Sequence, residues 1–365
     1  MKVMVDGTAL LLRSAGVKSV LYHWIQALQA EAGADTVAVY PPMPKIGALD
    51  HQQSVTTKWA TRKGIAMAVS NQRLGLPFPE WLSRDADIFH CSNQVGTPPR
   101  NTRLTATVHD LTCWKMPQLH TAANVVADQR YAERVLKRAC GLIAVSEHTR
   151  HDAIEVLGID PDRIEAIPNG VSEVYFQPQP APLRKKPYVL SLGTIEPRKN
   201  IDTLLDAWAM VRADLREAFD LVVAGPAGWA SEKTAARLSA PARGVEWLGY
   251  VSESDLPRLT AGATALAYPS LYEGFGLPLA QAMAAGVACV TSNVSSMPEV
   301  AGEGALLVDP RSVEELRAAL ERVLEDEELR RRLGAAGRAR AQVCFRWDRI
   351  ARQSWRFFHR VGDSV

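Results

Sequence analysis

The chain has 365 residues, with 42 Lys and Arg against 40 Asp and Glu, and 47% of it is hydrophobic. A net charge of +2 excludes a strongly basic nucleic-acid binder, and 22% charged residues beside so much apolar sequence exclude a disordered chain. At roughly 150 residues per domain the length allows two to three cores. Neither half carries a field: 18 basic and 17 acidic side chains lie up to residue 175, 24 and 23 beyond it.

Met1 to Gly7 is too short and too soon interrupted by Asp6 for a signal peptide, and it reads as a first strand. Further apolar runs of strand length follow at Thr36 to Val39, Ile88 to His90, Leu104 to Val108, Gly141 to Val145 and Ile164 to Ile167. Amphipathic stretches separate them, clearest at Val17 to Glu31 and Asn124 to Arg138, and Ser146 is placed to cap a helix ending at Leu157. Asp85 and Asp87 spell a metal-binding DxD, but they precede a strand and so belong at its amino end, away from where ligands of such sheets collect. No metal is expected. The segment from Phe176 to Pro187 holds four prolines, which forbid continuous helix, and a run of three basic residues expected to stay solvated. It reads as a linker.

Strands are predicted again at Tyr188 to Leu192, Leu221 to Ala224, Val245 to Leu248, Ala265 to Tyr268, Ala288 to Thr291 and Ala305 to Val308. Ser312 and Glu315 form a capping box for a helix ending at Glu325. Gly274 to Pro298 lacks charged residues, but Pro278, Gln281, Asn293 and several Ser and Gly exclude a membrane span. Near the end, Arg346, Arg349, Arg352, Arg356 and Arg360 recur at helical spacing beside an apolar face of Trp347, Ile350, Phe357 and Phe358. The simplest reading is a solvated stripe on a packed helix; peripheral contact with an anionic membrane is the alternative. Cys91, Cys113, Cys140, Cys289 and Cys344 show no metal or disulfide spacing, so a reducing, cytoplasmic setting is expected.

The alternation of strand and helix predicts an α/β chain with two Rossmann-like parallel-sheet domains facing across a cleft. The richest stretch runs from Tyr268 to Ala282. After a strand end come Glu273, then Gly274 and Gly276 flanking Phe275, then Pro278 in the first turn of a helix. The N–H groups of Gly276 and Leu277 are then open at a helix N-terminus, a site for a diphosphate. Glu273 would repel phosphate and is better suited to accept from hydroxyl groups of an attached sugar.

Leu271 to Gly302 resembles the signature of retaining glycosyltransferases of family 4, which have the two-domain GT-B fold. Ser191 to Asn200 and Thr107 to Thr112 resemble two further segments of the same family, so the similarity covers essentially the whole chain. It implies an N-terminal acceptor domain over 1–175, a linker over 176–187, a nucleotide-sugar domain over 188–345, and a C-terminal helix over 346–365 crossing back to the first domain. It implies that Arg198 and Lys199 clamp the diphosphate, where fixed cations would stabilise the departing group, and that His109 meets the donor sugar. Gly16 corresponds to the family's glycine loop. Gly225 and Val251 would present backbone groups to the nucleotide base. One position departs: the family has a second Glu, which accepts from the ribose, where this chain has Gln281.

The resemblance further implies retaining hexosyl transfer from a nucleotide sugar to a saccharide acceptor, lipid-linked acceptors included, with no cofactor. Mannose from GDP-mannose leads among the donors, because the resemblance extends to bacterial mannosyltransferases of polysaccharide assembly. Two rival readings are a non-catalytic nucleotide-sugar binder, in which Gln281 marks lost turnover, and a GT-B nucleotide-sugar epimerase.

Overall fold

The structure, a computed structural model, describes residues 1–14, 16–92, 95–179, 183–240 and 244–363. The chain divides into two compact units. The first comprises residues 1–115, 122–170 and 347–365; the second comprises 116–121 and 171–346.

The first unit is built on six parallel strands, β1 (Lys2–Asp6), β2 (Thr36–Tyr40), β3 (Ile88–Cys91), β4 (Arg103–Val108), β5 (Gly141–Ala144) and β6 (Ile164–Ala166), in the order β2-β1-β3-β4-β5-β6. The central strands β3 and β5 are buried along their whole length, which is why they read as unbroken apolar runs and not as alternating ones. Helix Gly16–Ala30 crosses from β1 to β2 and buries Leu21, Trp24, Ile25 and Leu28, a stripe at three- and four-residue steps. Ser146 caps helix Glu147–Leu157 by accepting from the Thr149 amide at 3.0 Å. The helix expected over 124–138 is α-helical over Ala122–Tyr131 and then widens to a π-helical turn, where the Lys137 N–H reaches Ala132 O at 2.9 Å.

The last helix, Trp347–Asp363, belongs to the first unit. The Trp24 indole donates to Ser354 Oγ at 2.9 Å, the Trp355 indole to Leu28 O at 3.0 Å, and Phe357 and Phe358 lie in the core. The arginine stripe on this helix is only partly solvated. Arg352 meets Glu31 and Asp348, and Arg360 meets Glu165, while Arg346, just before the helix, pairs with Glu173 in the second unit. The chain passes between units at Gly170 and Val171, earlier than the expected linker, because Val171 bridges Arg346 and its N–H bonds Phe345 O at 2.7 Å.

The second sheet contains β7 (Tyr188–Leu192), β8 (Asp220–Ala224), β9 (Val245–Gly249), β10 (Ala265–Tyr268), β11 (Ala288–Ser292) and β12 (Ala305–Val308), again all parallel, in the order β12-β11-β10-β7-β8-β9. Helices Ile201–Met210 and Val313–Glu325 cover one face of it with Leu204, Trp208, Leu316 and Leu320.

Two local expectations are corrected here. Ser312 caps its helix by accepting from the Glu315 N–H at 3.1 Å, but the Glu315 carboxylate accepts from the Asp309 N–H instead of returning to Ser312, so the box is half formed. Of the basic run before β7, Arg184 and Lys186 are not simply solvated: Lys186 lies 2.6 Å from Asp220 and Arg184 2.5 Å from Glu246, and Arg184 also stands over the Tyr188 ring. Residues 180–182 of the expected linker lie outside the described residues.

Candidate functional site

In a parallel sheet the carboxyl ends of the strands open into loops whose side chains converge. After β7 the chain makes a short 3-10 turn, Pro197–Lys199, that presents Arg198 and Lys199; after β10 it runs through Glu273 into helix Leu277–Ala284. These two loops are neighbours because β7 and β10 pair directly. They are tied by backbone, with the Leu271 N–H on Arg198 O at 2.8 Å.

The side chains meet on one carboxylate. Arg198 Nη1 lies 2.5 Å from Glu273 Oε2 and Lys199 Nζ 2.5 Å from Glu273 Oε1, and the Tyr268 hydroxyl donates to the same Oε1 at 2.8 Å. Lys199 also donates to the Tyr268 hydroxyl at 2.7 Å. Glu196, which no sequence pattern singles out, stands 2.7 Å from Arg198 Nε and is itself buried. Two cations therefore face two carboxylates. A buried ion needs such compensation, since isolated it would cost several kcal/mol in desolvation.

Glu273 is only 5% exposed. Burial alone would raise its pKa, but the charges of Arg198 and Lys199 and the hydrogen bonds outweigh it and hold the carboxyl at about 2. For Lys199 burial dominates, reinforced by Arg198, and its pKa is lowered despite Glu273 and Glu196. In the structure the Glu273 carboxylate faces the two cations and the Tyr268 hydroxyl. A carboxylate has about four acceptor positions, and here three are occupied by protein donors. Its first task is to be the counter-ion of both cations.

The backbone of Glu273 is fixed as firmly as its side chain. Its N–H donates to Ser295 Oγ at 3.0 Å, and Ser296 Oγ donates to its carbonyl at 2.9 Å. Phe275 is buried and meets Phe345 edge-on at 5.3 Å, so its ring is core and only its backbone is available to a ligand. Gly276, the N-cap, has φ 88°, and a Cβ there would lie 2.3 Å from Met297 Cε, so only glycine fits the turn. The N–H groups of Gly276 and Leu277 have no hydrogen-bond partner among the described residues, as expected of a helix start. Gly274 is buried between Glu273 and Phe275. Gln281 sits one turn into the helix, 8% exposed, and its amide bonds to nothing among the described residues. Although the residue is largely buried, its amide atoms are not among the enclosed polar atoms without a partner, so they are open to water or to a ligand.

Gly225 has its backbone N–H engaged within the second unit. Its N–H bonds Gly249 O at 2.7 Å and its carbonyl accepts from the Trp247 indole at 2.8 Å, so it has no free donor for a base. Its φ of 147° brings it against Gly193, where a Cβ would lie 1.9 Å from the carbonyl oxygen, and close packing is its reason for being glycine. Val251, just past β9, is half-buried and has no hydrogen bond to another described residue.

His109 belongs to the first unit, directly after β4. Nε2 lies 2.7 Å from Ser92 O, which makes it the protonated nitrogen and leaves Nδ1 as an acceptor. Burial lowers its pKa, opposed by the Ser92 bond and Asp110. Together with Trp24, Thr107 and Trp347 it lines a small cavity with room of about 30 Å³, sufficient for a single water. Gly16 opens helix Gly16–Ala30 with nothing within 4 Å of where a Cβ would stand, so its own packing does not require glycine. Asp85 and Asp87 both bind Lys2, the first by its side chain and the second by the Lys2 N–H at 2.7 Å. They fasten the amino ends of β1 and β3.

Two parallel six-stranded sheets with a cationic pair and a helix start at the carboxyl edge of the second define the GT-B class of sugar-transferring enzymes. The sequence profile described as Glycosyltransferase Family 4 matches residues 14–175, and that of Glycosyl transferases group 1 matches residues 176–340. The chain belongs to this glycosyltransferase family and is an enzyme of that class. It is 34% identical to O-antigen chain mannosyltransferase B of Escherichia coli, over 75% of each chain, and 31% identical to MMP alpha-(1->4)-mannosyltransferase of Mycolicibacterium hassiacum, over 74% of this chain and 69% of the relative. Sucrose-phosphate synthase from Thermosynechococcus elongatus shares the fold, with a TM-score of 0.74 over 99% of both chains at 20% identity.

Proposed function

We propose that the protein transfers mannose from GDP-mannose to a hydroxyl of a saccharide acceptor, with retention of the anomeric configuration. The observation that supports this most is the meeting of Arg198 and Lys199 on Glu273, three residues before the open amides at Gly276 and Leu277. A nucleoside diphosphate gains negative charge as its bond to the sugar breaks. Fixed cations and a helix N-terminus stabilise that charge without reorganising. Glu273 keeps both cations charged and oriented before a donor binds, and its remaining acceptor position is open to a sugar hydroxyl.

In this reading Gln281 bonds the ribose hydroxyls, Val251 offers backbone groups to the base, and His109 accepts through Nδ1 from a sugar hydroxyl. Asp85 and Asp87 are tied to Lys2, so charge stabilisation at the diphosphate is assigned to Arg198, Lys199 and the amides. Retention follows if the acceptor attacks on the face that the diphosphate leaves, with a diphosphate oxygen taking the acceptor proton as the new glycosidic bond forms. Mannose is favoured by the names of the two bacterial relatives, and a lipid-linked saccharide is the acceptor type that polysaccharide assembly requires.

Isothermal calorimetry with GDP-mannose and with UDP-sugars tests the donor. Binding of UDP-sugars alone overturns it. Proton NMR of the transfer product tests the stereochemistry, and a product of inverted anomeric configuration overturns retention.

A further inference from the structure

Helix Glu147–Leu157, in the first unit, carries four metal-ligating side chains at successive helical steps. His148, His151, Asp152 and Glu155 stand at i, i+3, i+4 and i+7 and therefore share one face. Thr149 and Ala153, on the adjoining side, are buried against the protein. The helix is held at both ends, by Ser146 at its start and by the left-handed Gly158 at its end, whose N–H returns to Ile154 O at 3.1 Å.

The ligand atoms on this face already converge. One atom each of His151, Asp152 and Glu155 lies within 4.8 Å of the other two, and His151 Nδ1 is 4.0 Å from Glu155 Oε2. Around a four-coordinate ion with bonds of about 2.1 Å, ligand atoms stand roughly 3.4 Å apart, so a small rotation of side chains closes the shell. The His151 side chain is 77% exposed and that of Glu155 59%, which leaves room for the rotation, whereas that of Asp152 is 2% exposed and fixed. His148 Nε2 lies 3.2 Å from Asp152 Oδ2 and orients this carboxylate from behind, as outer-shell partners of metal ligands do.

A cation is already drawn to the same place. Lys115 Nζ lies 3.0 Å from Asp152 Oδ1 and 3.3 Å from Glu155 Oε2, and its hydrogen bond to Asp152, aided by Glu155, raises its pKa. An ammonium brings a single charge on a flexible stem. A divalent ion brings twice that charge and direct bonds to both carboxylates and to the imidazole.

We propose that His151, Asp152 and Glu155 bind a divalent ion of the zinc class, displacing the Lys115 ammonium and leaving the fourth position to water. Two carboxylates balance the charge of the ion. The imidazole nitrogen selects zinc, nickel or copper over magnesium and calcium, which prefer oxygen alone. The proposal is independent of the donor reading, because the site uses none of the residues assigned to the nucleotide sugar and is tested with no nucleotide sugar present.

The test is calorimetric titration of the untagged full chain with zinc chloride and, separately, with magnesium chloride. Zinc is expected to bind and magnesium is not. Cobalt(II) at the same place should give the strong visible absorption of the four-coordinate ion, which aqueous cobalt lacks. The double variant His151→Ala, Glu155→Gln should lose zinc binding and keep the wild-type melting temperature in the absence of metal, because both side chains are exposed. His148→Ala should bind on the order of 10-fold more weakly. Lys115→Met, which removes the competing cation, should bind roughly five-fold more tightly. Absence of zinc binding by the wild type, unchanged binding by the double variant, or equal affinity for magnesium overturns the proposal. So does weaker or unchanged binding by a folded Lys115→Met chain, since lysine and ion would then not compete; should that chain fail to fold, the double variant decides.

Discussion

Lys199 Nζ lies 2.5 Å from Glu273 Oε1, joining residues 74 apart in sequence at the carboxyl edge of the second sheet. The pair is buried, and Arg198 and Tyr268 complete its environment. Its electrostatic balance determines both the stability of this edge and the charge available to a diphosphate.

Replacing Glu273 by Gln removes one of the two carboxylates that face Arg198 and Lys199 and leaves Glu196 beside them. We expect a loss of about 3 to 5 kcal/mol in stability, the usual result of breaking a buried ion pair. The double variant Glu273→Gln, Lys199→Met should recover part of that loss, because it removes the uncompensated ammonium. Chemical denaturation of the three proteins measures both effects, and equal stability of the single and double variants would contradict the ion-pair account.

Gln281→Glu restores a carboxylate in a largely buried position whose amide has no protein partner among the described residues. If ribose hydroxyls are its partners, GDP should bind about ten-fold more tightly through charge-assisted hydrogen bonds. Calorimetry with GDP reads this directly. A wild-type enzyme that turns over excludes the non-catalytic binder, whereas turnover found only in the Glu variant would favour it.

Gly276→Ala places a methyl group 2.3 Å from Met297 Cε on a backbone with φ 88°. A loss of about 1 to 3 kcal/mol is expected, with weakened diphosphate binding as the turn shifts. Adding Met297→Ala relieves the clash but not the backbone strain. Partial recovery in thermal melts is the expected signature, and full recovery would show that the backbone conformation was of no consequence.

The two units should respond differently to acid. In the first, burial holds His23 and His51 at about 4 and His90 at about 3, below the usual 6.5. Their folded-state pKa values are depressed, so unfolding takes up protons and stability falls as pH drops from 6.5 toward about 4. In the second, Glu273 at about 2 against the usual 4.5 adds stability that is present above 4.5 and is lost only between 4.5 and about 2. Tryptophan fluorescence and hydrogen exchange across pH should show the first unit opening at the higher pH. Simultaneous opening would argue against these assignments.

Truncation before Trp347 should abolish folding of the first unit. The last helix supplies Phe357 and Phe358 to that core, and Ser354 satisfies the buried Trp24 indole. Circular dichroism and protease resistance of the shortened chain would reveal this; a resistant first unit would refute it.

The twelve strands of the described residues were legible in the sequence to within a residue or two; for the interior ones, such as β3 and β5, the reason is that a strand buried on both faces of a parallel sheet must be a short apolar run between turn residues. The cap at Ser146 was legible for the same local reason. Arg198, Lys199, Glu273 and Gly276 could be picked out as candidates through strand ends, glycines and family resemblance. Their arrangement could not. That Glu273 serves the cations before any hydroxyl, that Gly225 has its N–H committed to Gly249, and that Glu315 turns to Asp309 all depend on which loops strand pairing brings together. Sequence periodicity fixes which residues share a side of an element; only packing decides which charges find partners and which are left to meet something outside the chain.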